Sequence, residues 1–397
     1  MKRRIGWLTV GVLFCLTALF VPASVMAIEF QVPGTNTTLN VGGYVKLDVI
    51  YNDVSAGDDA QANIEYSPSE VPLDNTTAGE EDEVIFNARE SRLWVKTSTP
   101  TDMGPLKTHL EFDFDTTDGN QLVSNSRHGR IRHAYGTLKG WLFGTTWSLF
   151  MHLDSLPEIN DFGGPTGAMF VRQPQIRYTF ALNDNSTLAI GLENPETYYD
   201  AASLSAGAFP AADDGVFPDI IVRWSMNPSW GNLSAAVMGR ELVVDEFGVD
   251  DSAYAFAGQV GAVIRFTPSD SVRFQVSGGD ALGRYSSLAT HFDAVVSAAG
   301  DVDALQQIAG FVGYEHIWGG AMNWRSNLIV GASQADDPPE LSTSNFTEKT
   351  FSVHANLFFD PVPNSRLGIE YIRGERETYS GLEGELNRIQ FSAMFVF

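Results

Sequence analysis

The groups in this chain best placed to do chemistry are cations. Lys46, Lys107, Arg130, Arg132, Arg177, Arg223, Arg240, Arg265, Arg273, Arg325 and Arg388 each fall at the polar parity of a short alternating segment. The opposite parity carries apolar residues such as Ile131, Ile176, Val222, Val237 and Phe274. Arginine stays protonated at any working pH and offers planar, paired donors to carboxylates. A ladder of such groups along a water-filled space makes a series of weak anion sites. An anion there sheds part of its water, steps between neighbours, and leaves because no site holds it tightly. The competing reading is that the arginines pair with wall carboxylates. A hairpin centred near residue 121 sets Arg130 across from Asp113 and Arg132 across from Glu111, and cross-strand charge pairs are ordinary wall structure. Arg265 and Arg273 lie on strands without nearby acids.

Three carboxylates stand in a different setting. Asp154, Glu158 and Asp161 lie in a long connection at 148–173, SLFMHLDSLPEINDFGGPTGAMFVRQ, which also holds Leu149, Phe150, Met151, Leu153, Leu156, Ile159 and Phe162. So much apolar surface on an outer loop is costly in water, and GGPTG is suited to folding the segment back on itself. The expectation is a constriction loop packed inside the wall, its carboxylates facing Arg130, Arg132 and Arg177 across a narrow eyelet. Opposed fixed charges of that kind produce a transverse field that orients dipolar solutes. The alternative is a lid packed over the mouth.

Other chemistry is poorly represented. There is no G-x-S-x-G, no H-E-x-x-H and no phosphate loop, and His109, His128, His133, His152, His291, His316 and His354 are dispersed. No catalytic residue, metal site or cofactor is assigned. A membrane-embedded hydrolase assembling a Ser-His site across strands remains an alternative, as does a plugged structural or adhesin barrel. Acidic stretches such as AGEEDE (78–83), Asp213-Asp214, Asp250-Asp251 and Asp336-Asp337 read first as solvated loop surface. Their second reading is divalent-cation bridges to lipopolysaccharide phosphates. DFDTTDGN (113–120) has the wrong spacing for a calcium loop.

The elements that position these groups are strands. In LKTHLEFDFD, Leu106, Thr108, Leu110, Phe112 and Phe114 oppose Lys107, His109, Glu111, Asp113 and Asp115. The same period-two pattern recurs from TLNVGGYVKLDVIY to RIQFSAMFVF, where Ile389, Phe391, Ala393, Phe395 and Phe397 share a face. Short turns at 99–104, 138–141, 182–186, 227–231, 267–270, 318–320 and 360–364 alternate with longer polar connections at 53–82, 116–126, 149–171, 195–216, 242–252, 281–305, 334–348 and 374–387. About sixteen antiparallel strands follow, a number suited to a closed transmembrane β-barrel over 38–397, preceded by a short segment at 28–37. A secreted β-sandwich or propeller would also alternate. It would put grease inside, whereas a membrane barrel puts grease outside, where a charge costs roughly 2–4 kcal/mol near the midplane. Tyr51, Trp94, Tyr135, Trp141, Trp147, Tyr178, Trp224, Trp318 and Tyr371 sit near strand ends, as an interfacial girdle would. The strand at 84–97 leaves Arg89 and Arg92 on opposite faces unless a bulge intervenes.

MKRR, the apolar run after it and Val25-Met26-Ala27 read as a signal peptide over 1–27, which carries away the single cysteine, Cys15. The formal net charge of -24 has the wrong sign for a nucleic-acid binder.

The blocks GYVKLDVIYND (43–53), ARESRLWVKT (88–97), EFDFD (111–115), RIRHAYG (130–136), LFGTTWSLF (142–150), RQPQIRYTF (172–180), GIEYIRGER (368–376) and NRIQFSAMFVF (387–397) together resemble the DcaP-like porins of Gram-negative outer membranes. The resemblance implies a trimeric 16-stranded diffusion porin that passes small anionic solutes such as dicarboxylates. It also implies that the terminal Phe397 serves as a signal to the barrel assembly machinery. Members often carry a helical coiled coil before the barrel. Here only IEFQVPGTNT precedes the first strand, so barrel walls alone would have to hold a trimer.

Overall fold

The structure, a computed structural model, describes residues 28–397 apart from 58–59, 75–80, 117–118, 121–124, 201–210, 213–214 and 247. The signal-peptide assignment, the start of the acidic run at 78–83 and the Asp213-Asp214 pair lie outside the described residues. Sixteen antiparallel strands form one closed barrel. They are β1 (Thr38–Val54), β2 (Glu81–Asn87 with Arg92–Thr99), β3 (Leu106–Asp113), β4 (Arg130–Leu138), β5 (Trp141–Trp147), β6 (Arg172–Asn183), β7 (Ser186–Glu193) and β8 (Asp219–Met226). The ring continues with β9 (Gly231–Val244), β10 (Asp251–Arg265), β11 (Asp270–Asp280), β12 (Gln306–Gly319), β13 (Trp324–Ala335), β14 (Thr347–Phe359), β15 (Ser365–Thr378) and β16 (Glu383–Val396). Closure runs from Tyr44↔Val396 to Asn52↔Arg388. The seam is completed by Phe397, whose N–H donates to the Gly43 carbonyl at 2.9 Å and whose carbonyl accepts the Gly43 N–H at 3.1 Å. A side chain at Gly43 would collide with the Phe397 ring and the Arg92 carbonyl, so that position must stay bare. A short N-terminal strand, Ile28–Gln31, pairs with the foot of β1.

The alternation resolves into two faces. Val45, Leu47, Leu110, Ile131, Ile176, Val237, Phe391 and Phe395 are exposed on the outside, while Lys46, Asp48, Arg132, Arg388 and Gln390 are buried inside. Among the described residues no helix is long and apolar enough to cross a membrane, so any crossing falls to the strands. Seven short connections alternate with longer ones as the turn chemistry predicts. Two of the expected long connections are shorter than read. β9 and β10 pair up to Val244↔Asp251, and β15 and β16 pair up to Glu377↔Glu383. Polar residues at both places belong to strands rising past the apolar band, which hydropathy alone counts as loop.

Two irregularities reassign faces. β2 breaks at Ala88–Ser91, which lets Arg92 point inward to Glu111 although the strand before the break has the other parity. In β4 the register slips between Phe112↔Ile131 and Glu111↔His133, so Arg130 and Arg132 face inward and so, after the slip, do His133 and Tyr135. Tyr135 therefore bonds His109 in the lumen and does not sit in the girdle. Trp94 lies over Gly42 and Trp147 under Arg132, both likewise inside. Tyr51, Trp141, Trp318 and Tyr371 are exposed on the outer surface.

Candidate functional site

Residues 148–171 leave β5 and run along the inner wall instead of over the mouth. Leu149, Phe150 and Met151 are fully buried against Ala189, Ile221, Ala236, Met238, Leu282 and Tyr285, worth roughly 1.5–3 kcal/mol for each of the three large side chains. The wall gives way where the loop passes. Gly191 lies under Leu149, Gly261 under His152, Gly368 beside Asn160, and Gly331 under the Thr166 carbonyl on the return path. Each is at lumen parity, and a Cβ at any of them would strike the loop. Polar anchors fix the course: Met169 N–H donates to Gln275 Oε1 at 2.8 Å, Asn160 N–H to Glu370 Oε2 at 2.5 Å, and Thr166 N–H to Ser352 Oγ at 3.1 Å.

The loop carboxylates do not meet Arg130, Arg132 and Arg177. Asp161 accepts Arg388 Nη1 at 2.7 Å and the Tyr66 N–H at 2.8 Å. Glu158 accepts Arg325 Nε at 2.6 Å and Arg366 Nη1 at 2.8 Å. Asp154 is exposed towards the short-turn end, and its carbonyl accepts Arg273 Nη1 at 3.0 Å. The loop follows the β7–β16 side of the barrel and turns its acids into that wall. No opposed-charge eyelet forms with the β4 arginines.

This geometry removes several cations from the ladder. Arg388 also donates to Asn52 and to the Ala62 carbonyl and is wholly buried. Lys46 is consumed by Glu90 and the Asn160 carbonyl, and Arg325 by Glu158 and Asp360. Arg240 binds Asp219 at 3.1 Å and Asp293 at 2.8 Å, tying the connection 281–305 to the wall. These four are loop anchors, because a buried guanidinium or ammonium without counter-charge is prohibitively costly. Arg273 is shared between Glu315 at 3.0 Å and the loop. Arg130 binds Asp113 and Asp115 at 2.9 and 3.0 Å, and Arg132 binds Glu111 and Asp113 at 2.9 and 2.8 Å. Their inner faces are covered by the Phe162 ring, with centroids 5.4 and 5.0 Å away.

The remaining cations stand apart. Among the described residues Arg177, Arg223, Arg265 and Lys107 have no ion-pair partner. Arg223 donates to the Met151 carbonyl at 2.6 Å, and Arg177 lies close enough to repel it. Glu193, on the strand next to Arg177, is occupied by the Leu149 N–H and the Tyr285 hydroxyl. Arg265 and Arg273 line a cavity of ≈ 370 Å³ with Asp154 and Asn232 at the short-turn end. Lys107 is exposed at that same end, on β3.

A family model described as DcaP outer membrane protein matches residues 27–397. The chain belongs to the DcaP outer membrane protein family. The outer membrane channel DcaP of Acinetobacter baumannii shares its fold with a TM-score of 0.77 at 23% identity, covering 93% of this chain and 99% of that one. An anion-selective porin from Comamonas acidovorans gives 0.60 at 12% identity, covering 91% and 100%. Porin Omp2b of Brucella suis biovar 1 (strain 1330) is 26% identical over 270 residues, 66% of this chain. The matched region spans 62% of that protein's length.

In this DcaP-family barrel a cation that sequence reading passed over is Arg172. It reaches over the Trp147 ring at 4.9 Å, and its Nη1 has no hydrogen-bond partner. Its position at the end of an assigned loop hid it, although RQPQIRYTF already marks a strand that pairs Arg172 with Trp147. The glycines at lumen parity were the other available signal.

Two further connections of the DcaP-family chain fold over the mouth. Residues 197–200 and 294–296 pair in parallel, and His291 is buried between them and the wall. Its Nδ1 lies 3.1 Å from the Thr347 carbonyl and its Nε2 2.9 Å from Ser333 Oγ. Burial holds the imidazole down to about 4, and Arg376, which donates to Thr347 Oγ1, is the charged group on the wall beside it. A folded value below the free value of about 6.5 means the neutral form is the one that packs. Support for the closed connection is therefore complete above pH ~6.5 and declines by about 3 kcal/mol as pH falls towards 4. Protease cleavage within 281–305 is expected to rise over that range and to lose its pH dependence in His291→Gln.

Proposed function

We propose that this chain is a passive outer-membrane diffusion porin whose path favours small anions. The observation that carries the reading is the adjacent pair Arg177 and Arg223, two wall guanidiniums with no ion-pair partner among the described residues. Arg265 and Lys107 extend the pair towards the short-turn end, while Arg172, its Nη1 buried beside Trp147, adds positive charge behind the wall. Fixed guanidiniums spaced along a lumen suit a solute with two carboxylates, which can engage the next site before leaving the last. Selectivity follows the charge at the narrow part of the path, so a total of -24 is compatible with an anion channel. Glu158 and Asp161 are bound to wall arginines and Glu193 to the Leu149 N–H and the Tyr285 hydroxyl, which leaves Asp154 as the exposed loop carboxylate, at the short-turn end beside Arg265 and Arg273.

A second reading draws on the inward loops. Tyr66 is fully buried beneath the constriction loop, and the connection 281–305 adds to the filling, which suits a plugged structural barrel. A hydrolase is disfavoured because the Ser333–His291 contact is buried under that connection. Reconstitution in planar bilayers under a potassium chloride gradient separates these readings. The expected result is open-channel current with a reversal potential on the chloride side. A potassium-side reversal potential would overturn the anion path, and absence of current would favour the plug.

A further inference from the structure

We propose that Phe162 is the residue that sets the width of the constriction and screens Arg132, and in part Arg130, from the solute. The inference rests on the lumen being a solute path, and not on the sign of its selectivity. Phe162, at the loop apex, lies over both guanidiniums and meets Phe170 edge-on at 5.5 Å. Phe170 in turn packs on Trp147 at 4.7 Å. The wall side of the two arginines is taken by Glu111, Asp113 and Asp115; Phe162 and Trp147 together bury Arg132, while the Arg130 side chain keeps 27% of its surface.

The ring cannot easily swing aside. Asp161, on one side, is locked by Arg388 and by the Tyr66 N–H. Gly163, on the other, donates its N–H to Asp161 Oδ1 at 2.8 Å, gives its carbonyl to Ser287 Oγ, and packs so tightly on the Tyr66 carbonyl that no Cβ would fit. Phe162 is half-buried. A π-face over a guanidinium attracts it without adding a full negative charge. The apex thus narrows the path and covers two cations while placing no carboxylate in front of a passing anion.

Phe162→Ala and Phe162→Leu test this in single-channel recordings, with heat-modifiable gel migration reporting that each barrel is folded. Phe162→Ala is expected to raise conductance roughly twofold by widening the constriction. It should also move the reversal potential towards chloride as the guanidinium faces under the ring, that of Arg132 above all, become accessible. Phe162→Leu, which restores most of the bulk, is expected to stay near the native conductance. Unchanged conductance in folded Phe162→Ala overturns the proposal. A rise in Phe162→Ala against a potassium-selective native channel keeps the width assignment and rejects the anion path.

Discussion

Replacing Arg177 and Arg223 together by alanine is expected to lower the anion-to-cation permeability ratio by about tenfold. A monovalent ion passing about 5 Å from a fixed charge gains roughly 0.8 kcal/mol at the dielectric of water, so two such charges contribute about 1.7 kcal/mol. A lower effective dielectric in the narrow lumen would enlarge the effect. The Debye length is about 10 Å at 0.1 M salt and about 3 Å at 1 M, so the difference between native and variant should shrink as salt rises. Neither side chain is part of a buried ion pair, and each stands beside small residues: Arg177 is paired in register with Gly191, and Arg223 with Ala189 and Ala236. The barrel should survive the change, while the Met151 carbonyl of the loop loses its Arg223 donor, so Arg177→Ala alone serves as the control that leaves the loop anchors in place. Reversal potentials in matched gradients at low and high salt measure the effect. A double variant as anion-selective as the native channel would locate the selectivity elsewhere, with Arg172 the first candidate.

The second large effect is expected at Arg388. Its guanidinium is wholly buried and fans out to three acceptors, Asn52 Oδ1 at 2.7 Å, Asp161 Oδ2 at 2.7 Å and the Ala62 carbonyl at 2.5 Å. Arg388→Ala strands the buried Asp161 carboxylate, a loss of about 3–5 kcal/mol. The apex of the inward loop should detach from the wall, giving noisy, enlarged currents and new protease sensitivity in 148–173. Arg388→Lys should not restore the native record, because the three donors of an ammonium radiate from a single atom and cannot span acceptors set around a planar guanidinium. Arg388→Ala combined with Asp161→Asn should recover part of the loss, since the stranded charge is gone. Native currents in folded Arg388→Ala would show that the glycine-lined course of the loop suffices to hold it.

The barrel was legible because a membrane wall imposes a period of two with opposite chemistry on its faces, and a stretch such as LKTHLEFDFD displays that period with no competing signal. The inward course of 148–171 was legible for the same reason, since Leu149, Phe150 and Met151 needed cover. Partners of individual charges were not legible. Whether Asp161 meets Arg132 or Arg388 depends on which side of the lumen the loop follows, a choice made by distant glycines on β7, β10, β13 and β15. The slip at Arg132–His133 was equally hidden, because one extra residue leaves composition unchanged while exchanging faces for Tyr135. Arg130 and Arg132 were open to two readings, and in the fold both bind wall carboxylates.

The seam between Tyr44 and Val396 joins segments separated by nearly the whole length of the barrel. Every other strand can find its neighbour across a hairpin, but this junction must wait for a partner made much later, with two raw edges available to strangers in the meantime. A chain built this way carries both edges unpaired until the seam closes. The hazard it faces is tangling with its own copies, and speed of local folding does nothing to relieve it.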